Sequence, residues 1–169
     1  MKKRVLIFDT SVLCCWLAVP GKAEAGPRED RWDQTRIQQK IADEQNRGST
    51  FVLPLASLIE TGNHIAQAPG DRFALATRFA EHLRAAADAA TPWAAFTDQS
   101  PLWEARHLKE LADRWPKLAA SGLSIGDATI TDVAEHYARA GYQVEILTGD
   151  RGLKAYEPAH GPQTPRRRK

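Results

Sequence analysis

The chain opens on an unbroken apolar run, Val5-Leu6-Ile7-Phe8, closed by Asp9. Short continuous runs of this kind fit a strand buried on both faces of a parallel sheet. Residues 10–17 read as a helix, ended by Pro20 and Gly21. The polar stretch 21–31, with Gly26-Pro27 inside it, predicts a loop. Trp32, Ile37 and Ile41 recur at helical spacing and predict a helix over residues 32–45, with Gly48 in the place of a C-terminal cap. Thr50-Phe51-Val52-Leu53 predicts a second strand. Pro54 opens a helix over residues 55–67, with Leu55, Leu58, Ile59 and Ile65 facing inward.

Pro69-Gly70 then punctuates the chain. Phe73, Ala76, Ala80, Leu83 and Ala87 predict the inner face of a further amphipathic helix. Trp93-Ala94-Ala95-Phe96 is a short strand candidate. Ser100-Pro101 has the form of a helix start, Ser at the cap and Pro at the first helical position. Leu102, Ala105, Leu108, Leu111 and Trp115 carry that helix onward. Ser124 caps the next helix, which runs to about residue 140 and stops at Gly141. Residues 144–148 form the last strand and residues 151–156 a short helix. Short strands alternating with helices predict parallel pairing through right-handed crossovers. The expected fold is α/β in three layers, α/β/α, around a mostly parallel sheet of four to five short strands. No internal repeat interrupts this pattern.

Composition narrows the class. A length of 169 residues fits one domain, expected over residues 1–157, with a basic, disordered tail over residues 158–169. Apolar residues are 43% and charged residues 26% of the chain, so neither a disordered nor a membrane-embedded protein is indicated. No apolar run reaches the length of a membrane span. Asp9 cuts the first apolar run too early for a secretory leader, which points to a cytoplasmic protein. Cys14 and Cys15 are neighbours with no second pair to complete a zinc site. They read as small buried side chains in a reducing compartment. The formal charge of +2 says little about nucleic acid. Only the tail, Pro165-Arg166-Arg167-Arg168-Lys169, is a basic run with phosphate in reach, and such runs are usually solvated.

Candidate chemistry lies in the acids. Ligands of an open parallel sheet bind outside the carboxyl ends of its strands. Asp9 directly follows the first strand, and Asp150 follows the last with one residue between. Asp127 lies in the first turn of the Ser124 helix, and Glu60 about one turn into the helix after the second strand. Each has an ordinary alternative. Asp9 suits a helix cap, Asp127 the acidic end of a capping box with Ser124, Asp150 an Asx turn, and Glu60 a solvated helix charge. Caps need no shared location, whereas these four are predicted to meet at one sheet edge. Carboxylates crowded together raise one another's proton affinity. Mg²⁺ or Mn²⁺ relieves this with all-oxygen ligation and leaves room for substrate phosphate. The scattered histidines, His64, His82, His107, His136 and His160, offer no competing ligand set.

Four segments resemble the PIN-domain ribonucleases. Phe8-Asp9-Thr10-Ser11-Val12-Leu13 is similar to the opening of that family, where an apolar strand delivers the first acid. Leu53-Pro54-Leu55-Ala56-Ser57-Leu58-Ile59-Glu60 resembles its second segment, Leu123-Ser124-Ile125-Gly126-Asp127-Ala128 its third, and Ile146-Leu147-Thr148-Gly149-Asp150-Arg151-Gly152-Leu153 its fourth. The resemblance spans about residues 4–155. It departs from a small PIN domain in the long polar segment between Leu17 and Thr50 and in an extended helical stretch between Glu60 and Asp127.

The resemblance implies Asp9, Glu60, Asp127 and Asp150 as the catalytic, metal-binding set, with Thr148 and Ser11 as supporting hydroxyls. It implies a Mg²⁺- or Mn²⁺-dependent endoribonuclease, the toxin of a toxin–antitoxin pair, with RNA, a cognate antitoxin and a second copy of the chain as partners. Arg106, Lys109, Arg114, Arg151 and Lys154 are candidates for guiding an RNA backbone, against the plainer reading as surface charge. Exposed, Trp93, Trp103 and Trp115 would suit an antitoxin groove; their helical spacing reads as core. Two other classes remain. One is a catalytically silent PIN-like module that binds RNA or protein. The other is a small phosphohydrolase of the haloacid-dehalogenase type, which needs a second Asp where this chain has Ser11.

Overall fold

The structure, a computed structural model, describes residues 3–159. The basic run at the C-terminus and His160 lie outside the described residues. Three strands form one sheet: β1 (Arg4–Phe8), β2 (Thr50–Val52) and β3 (Gln143–Leu147). Their order is β2-β1-β3 and both pairings are parallel. The central strand is the apolar run at the start of the chain, and its residues 5–8 are buried on both sides.

Alternation along β1 sends its side chains into two cores. Leu6 and Phe8 join Phe51 and Leu147 on one face. There they meet α1 (Thr10–Leu17), α2 (Gln34–Asn46), α3 (Leu55–Gln67) and α4 (Arg72–Ala87). Val5 and Ile7 join Val52, Val144 and Ile146 on the other face, against Ile130, Val133 and Ala134 of α6 (Ile125–Arg139). Helices therefore cover both faces of the sheet, as expected. The helix α5 (Ala105–Ala120) lies outside α6, held by a small cluster of Leu111, Leu123 and Ala128. No helix among the described residues is long and apolar enough to cross a membrane.

The sheet has three strands among the described residues, not four to five. The Trp93 segment gives a single parallel bridge to Phe51. It is held by Phe51 N–H to the Pro92 carbonyl and Ala94 N–H to the Phe51 carbonyl, both 2.8 Å. Pro92 has no N–H to extend the ladder, and the chain passes into a 3-10 turn at Phe96–Trp103. That turn also displaces the expected helix start. The Ser100 hydroxyl donates to the Thr97 carbonyl within the turn, and α5 begins only at Ala105.

Two inward faces differ from expectation. Phe73 is 83% exposed, while α4 buries Leu75, Phe79 and Ala86. Here the ring of His82 lies 4.2 Å from that of Trp16, so the inner face follows residues 75, 79, 82 and 86. Ile59 is 54% exposed, because α3 turns Ser57, Thr61 and Ile65 inward. Small side chains at 57 and 61 let α3 pack closely on α1. Leu108 on α5 is exposed as well. The last helix, α7 (Arg151–Lys154), is shorter than residues 151–156. Trp93 is buried among Phe8, Trp16 and Phe51, and Trp103 and Trp115 are half-buried, so the core reading holds for them.

At the amino edge of the sheet Glu44 of α2 is wholly buried and ionised. It accepts from Arg4 (3.1 and 3.0 Å), Lys40 (2.9 Å) and Ser49 (2.6 Å). Arg4 and Lys40 also reach Glu145 of β3, at 2.5 and 2.9 Å. This network ties α2 to β1 and β3.

Candidate active site

The pairing of β1 with β3 ends at Phe8 and Leu147, so the residues that follow, Asp9 and Thr148, emerge side by side. The Asp9 amide donates to the Leu147 carbonyl at 3.0 Å. Asp9 is only 6% exposed. Its Oδ2 accepts from the Thr148 hydroxyl at 2.7 Å and from the Ser11 hydroxyl at 2.6 Å. The same two hydroxyls accept in turn, Ser11 from the Gly149 amide (3.0 Å) and Thr148 from the Asp150 amide (2.9 Å). Asp9 occupies the cap position of α1, yet its side chain makes no cap bond. The capping alternative for Asp9 is thereby removed.

Asp150 keeps its ordinary role and adds to the edge. Its Oδ1 accepts from the Gly152 and Leu153 amides, at 2.6 and 3.3 Å, capping α7. Glu60 is not a free surface charge. Its Oε2 accepts from the Thr10 hydroxyl at 3.1 Å. Its Oε1 lies only 2.6 Å from where a Cβ on Gly126 would stand. Glycine in the first turn of α6 is thus what lets the Glu60 carboxylate press against that helix. A helical glycine otherwise costs about 1 kcal/mol relative to alanine.

Asp127 reports on the whole cluster. Ser124 caps α6 by accepting from the Asp127 amide at 3.0 Å, as the sequence predicts. The Asp127 carboxyl is pushed above the ordinary aspartate range. Burial is the largest cause; a hydrogen bond from Ser124 works against it; the negative charges of Asp9, Asp150 and Glu60 add to it. The four acids therefore share one region at the carboxyl edge.

Among the described residues no three acidic, histidine or cysteine side chains form a ready ion cage. One Asp9 oxygen is held by two hydroxyls, one Asp150 oxygen by two amides, and one Glu60 oxygen by Thr10. The donor set is all oxygen, the kind a hard divalent cation takes.

The structure places the four acids, Thr148 and Ser11, all singled out from the sequence, at the carboxyl edge of the sheet. Sequence reasoning missed Thr10 and Gly126, whose roles appear only when α3 meets α1 and α6. Four of the five basic candidates are engaged by carboxylates: Arg106 with Glu110, Arg114 with Asp132, Lys154 with Glu157, and Arg151 with Glu29. Both thiols are buried, and burial is the main cause that pushes Cys14 up to about 12 and Cys15 up to about 11. Neither is a nucleophile at neutral pH. His107 and His136 line a cavity of about 390 Å³ between α5 and α6 that none of the four acids enters. Burial lowers the proton affinity of His82.

Fold and site together define an α/β protein with four carboxylates gathered at the carboxyl edge of a short parallel sheet. Compared with known proteins, the chain matches no family model, no curated protein and no solved structure.

Proposed function

We propose that the protein is a PIN-type endoribonuclease dependent on Mg²⁺ or Mn²⁺. The observation that carries this reading is the state of Asp9. A buried aspartate at a helix start is ordinarily spent on capping; this one is held instead by Thr148 and Ser11, in electrostatic reach of Asp127. Burial is the larger cause of the upward shift of Asp127, and the negative charges of Asp9, Asp150 and Glu60 add to it.

Asp9, Asp127 and Asp150 would hold a divalent ion, and Glu60 would orient the attacking water or hold a second ion. When bound, the ion supplies a Lewis acid that neutralises phosphate charge and lowers the proton affinity of a coordinated water. Thr148 and Ser11 fix the Asp9 carboxylate, and Thr10 fixes that of Glu60. Single-stranded or looped RNA is the substrate class that exposes its backbone to such a pocket. In biological terms the reading is a cytoplasmic toxin restrained by a cognate antitoxin, with a homodimer as a further assembly.

The decisive experiment is cleavage of RNA by the purified protein in Mn²⁺ buffer. Wild type cuts, Asp9→Asn with a native circular dichroism spectrum does not, and excess EDTA stops wild type. Equal cutting in EDTA removes the metal mechanism. The second reading, a catalytically silent RNA- or protein-binding module, is favoured by the absence of a closed ion cage among the described residues. Calorimetry without Mn²⁺ binding would support it. The phosphohydrolase reading loses ground, since Ser11, in the place of the required acid, is engaged with Asp9 and Gly149.

A further inference from the structure

The segment 21–33, read from sequence as a polar loop over 21–31 and the start of a helix at Trp32, is a built strap seated on the acid-bearing turn. Ala25 and Trp32 pair across it through two backbone hydrogen bonds, of 3.0 and 2.7 Å. Arg31 pairs with Glu24 at 2.6 Å and Arg36 with Asp30 at 2.7 Å. The Arg36 guanidinium lies 3.9 Å over the Trp32 ring. The strap meets the site at two glycines. A Cβ on Gly149 would stand 2.7 Å from the Gly26 nitrogen and 2.8 Å from the Ala25 Cβ. Gly149 lies between Thr148 and Asp150, so the strap forms one wall beside the carboxylate edge.

Just beyond the glycine contact, Glu29 of the strap pairs with Arg151, the residue after Asp150. Both side chains are well exposed, at 64% and 69%. The Glu29 carboxyl sits below the usual range, held there first by its own backbone amide and then by Arg151. A guanidinium accepts a carboxylate and a phosphate through the same planar fork. Exposed ion pairs are weak, so a phosphate can replace the carboxylate at small cost. Arg114, by comparison, is locked to Asp132 by two bonds of 2.6 and 2.7 Å.

We infer that Arg151 binds a substrate phosphodiester beside the acid cluster, and that Glu29 fills that place until a phosphate displaces it. The inference rests on the ribonuclease reading, and deepens it by naming the residue that receives the backbone. Within a ring of acids such an arrangement serves two ends. It keeps a needed cation near the pocket, and it screens out anions too weak to compete with Glu29.

The test is binding of a fluorescein-labelled single-stranded oligoribonucleotide, followed by anisotropy in Mg²⁺ buffer. All variants carry Asp9→Asn so that nothing is cut. Glu29→Gln should tighten binding roughly two- to fivefold, the size of an exposed ion pair that the substrate no longer has to break. Glu24→Gln is the control. It removes the same charge from the same strap and frees Arg31 instead, so it should shift binding by less. Arg151→Gln should weaken binding and reduce the salt dependence by about one phosphate contact. In the Arg151→Gln background, Glu29→Gln should bring no gain.

An effect of Glu29→Gln no larger than that of Glu24→Gln overturns the inference. So does a gain that survives Arg151→Gln, or no binding by any variant. If the expected binding pattern holds while wild type cuts no RNA with Mn²⁺, Arg151 keeps its role and the nuclease reading falls.

Discussion

The Thr148 hydroxyl donates to Asp9 Oδ2 at 2.7 Å, joining the ends of two strands 139 residues apart in the chain. The Thr148 hydroxyl oxygen in turn accepts from the Asp150 amide. One side chain thus sets the orientation of the first acid and the backbone position of the last. Thr148→Val keeps the β-branched shape and removes both bonds. Supporting residues of this kind around a metal site are worth about 10–100-fold in affinity or activity. We expect a loss of that size in Mn²⁺-dependent cleavage with the fold intact, and recovery in Thr148→Ser. A full-rate Thr148→Val enzyme would show that Asp9 needs no such support.

Gly126 offers a different kind of separation. Its missing Cβ makes room for the end of the Glu60 side chain, and the next contact, Ala56 Cβ, is comfortable at 3.7 Å. In Gly126→Ala a flexible carboxylate can move aside, so the fold should not suffer. Alanine in a helix is even favoured over glycine by about 0.5–1 kcal/mol. The displaced Glu60 carboxylate, however, can no longer stand where it does. We expect an unchanged or higher melting temperature with cleavage reduced roughly tenfold or more, since misplacement by an ångström is costly in catalysis. A variant both less stable and less active would place the role of Gly126 in packing alone.

The part of this arrangement legible in the sequence is the part written along single segments. An apolar run ending in Asp9, and another ending in Thr148-Gly149-Asp150, are local patterns whose meaning follows from strand direction. The cap at Ser124 is local too. Thr10, Gly126 and the Gly26–Gly149 contact are not, because each has its function in a second segment distant in the chain. The α4 register failed for a similar reason. Phe73 is apolar and correctly spaced, but tertiary packing through His82 and Trp16 decided which face turned inward. The fourth strand was misjudged because β-type residues at 93–96 follow a proline that offers no donor.

Glu44 carries a stability prediction. It is fully buried, and burial alone would raise its proton affinity. Hydrogen bonds from Ser49, Lys40 and Arg4 outweigh burial and hold it down at about 2, from an ordinary 4.5. Removing one member of a buried ionic network leaves the others unpaired, and Glu44→Gln should cost roughly 3 kcal/mol at neutral pH by urea unfolding. The folded-state value lies below the unfolded one, so the stabilisation is complete above about pH 4.5 and declines as pH falls toward 2. The gap between wild type and Glu44→Gln should therefore close across that window. A gap independent of pH would mean that the carboxylate charge contributes nothing and that only shape matters.

Asp127 should behave in the opposite sense. Its folded-state proton affinity is raised above the ordinary 3.8, by burial first and then by the neighbouring acids. A carboxyl that holds its proton more tightly folded than unfolded contributes a penalty, absent below the unfolded value and complete once pH exceeds the folded one. In metal-free buffer, Asp127→Asn removes the charge and the penalty together. It should melt higher than wild type at pH 7, and this advantage should vanish as pH falls toward 3.8. Mg²⁺ should narrow or reverse the difference, because an ion that binds only the folded wild type stabilises it by mass action. Thermal melts of both proteins, with and without Mg²⁺ and across pH 3–7, read all three effects. If Asp127→Asn is less stable than wild type in EDTA at pH 7, the buried Asp127 charge carries no such penalty, and the electrostatic argument for a cation beside it is lost.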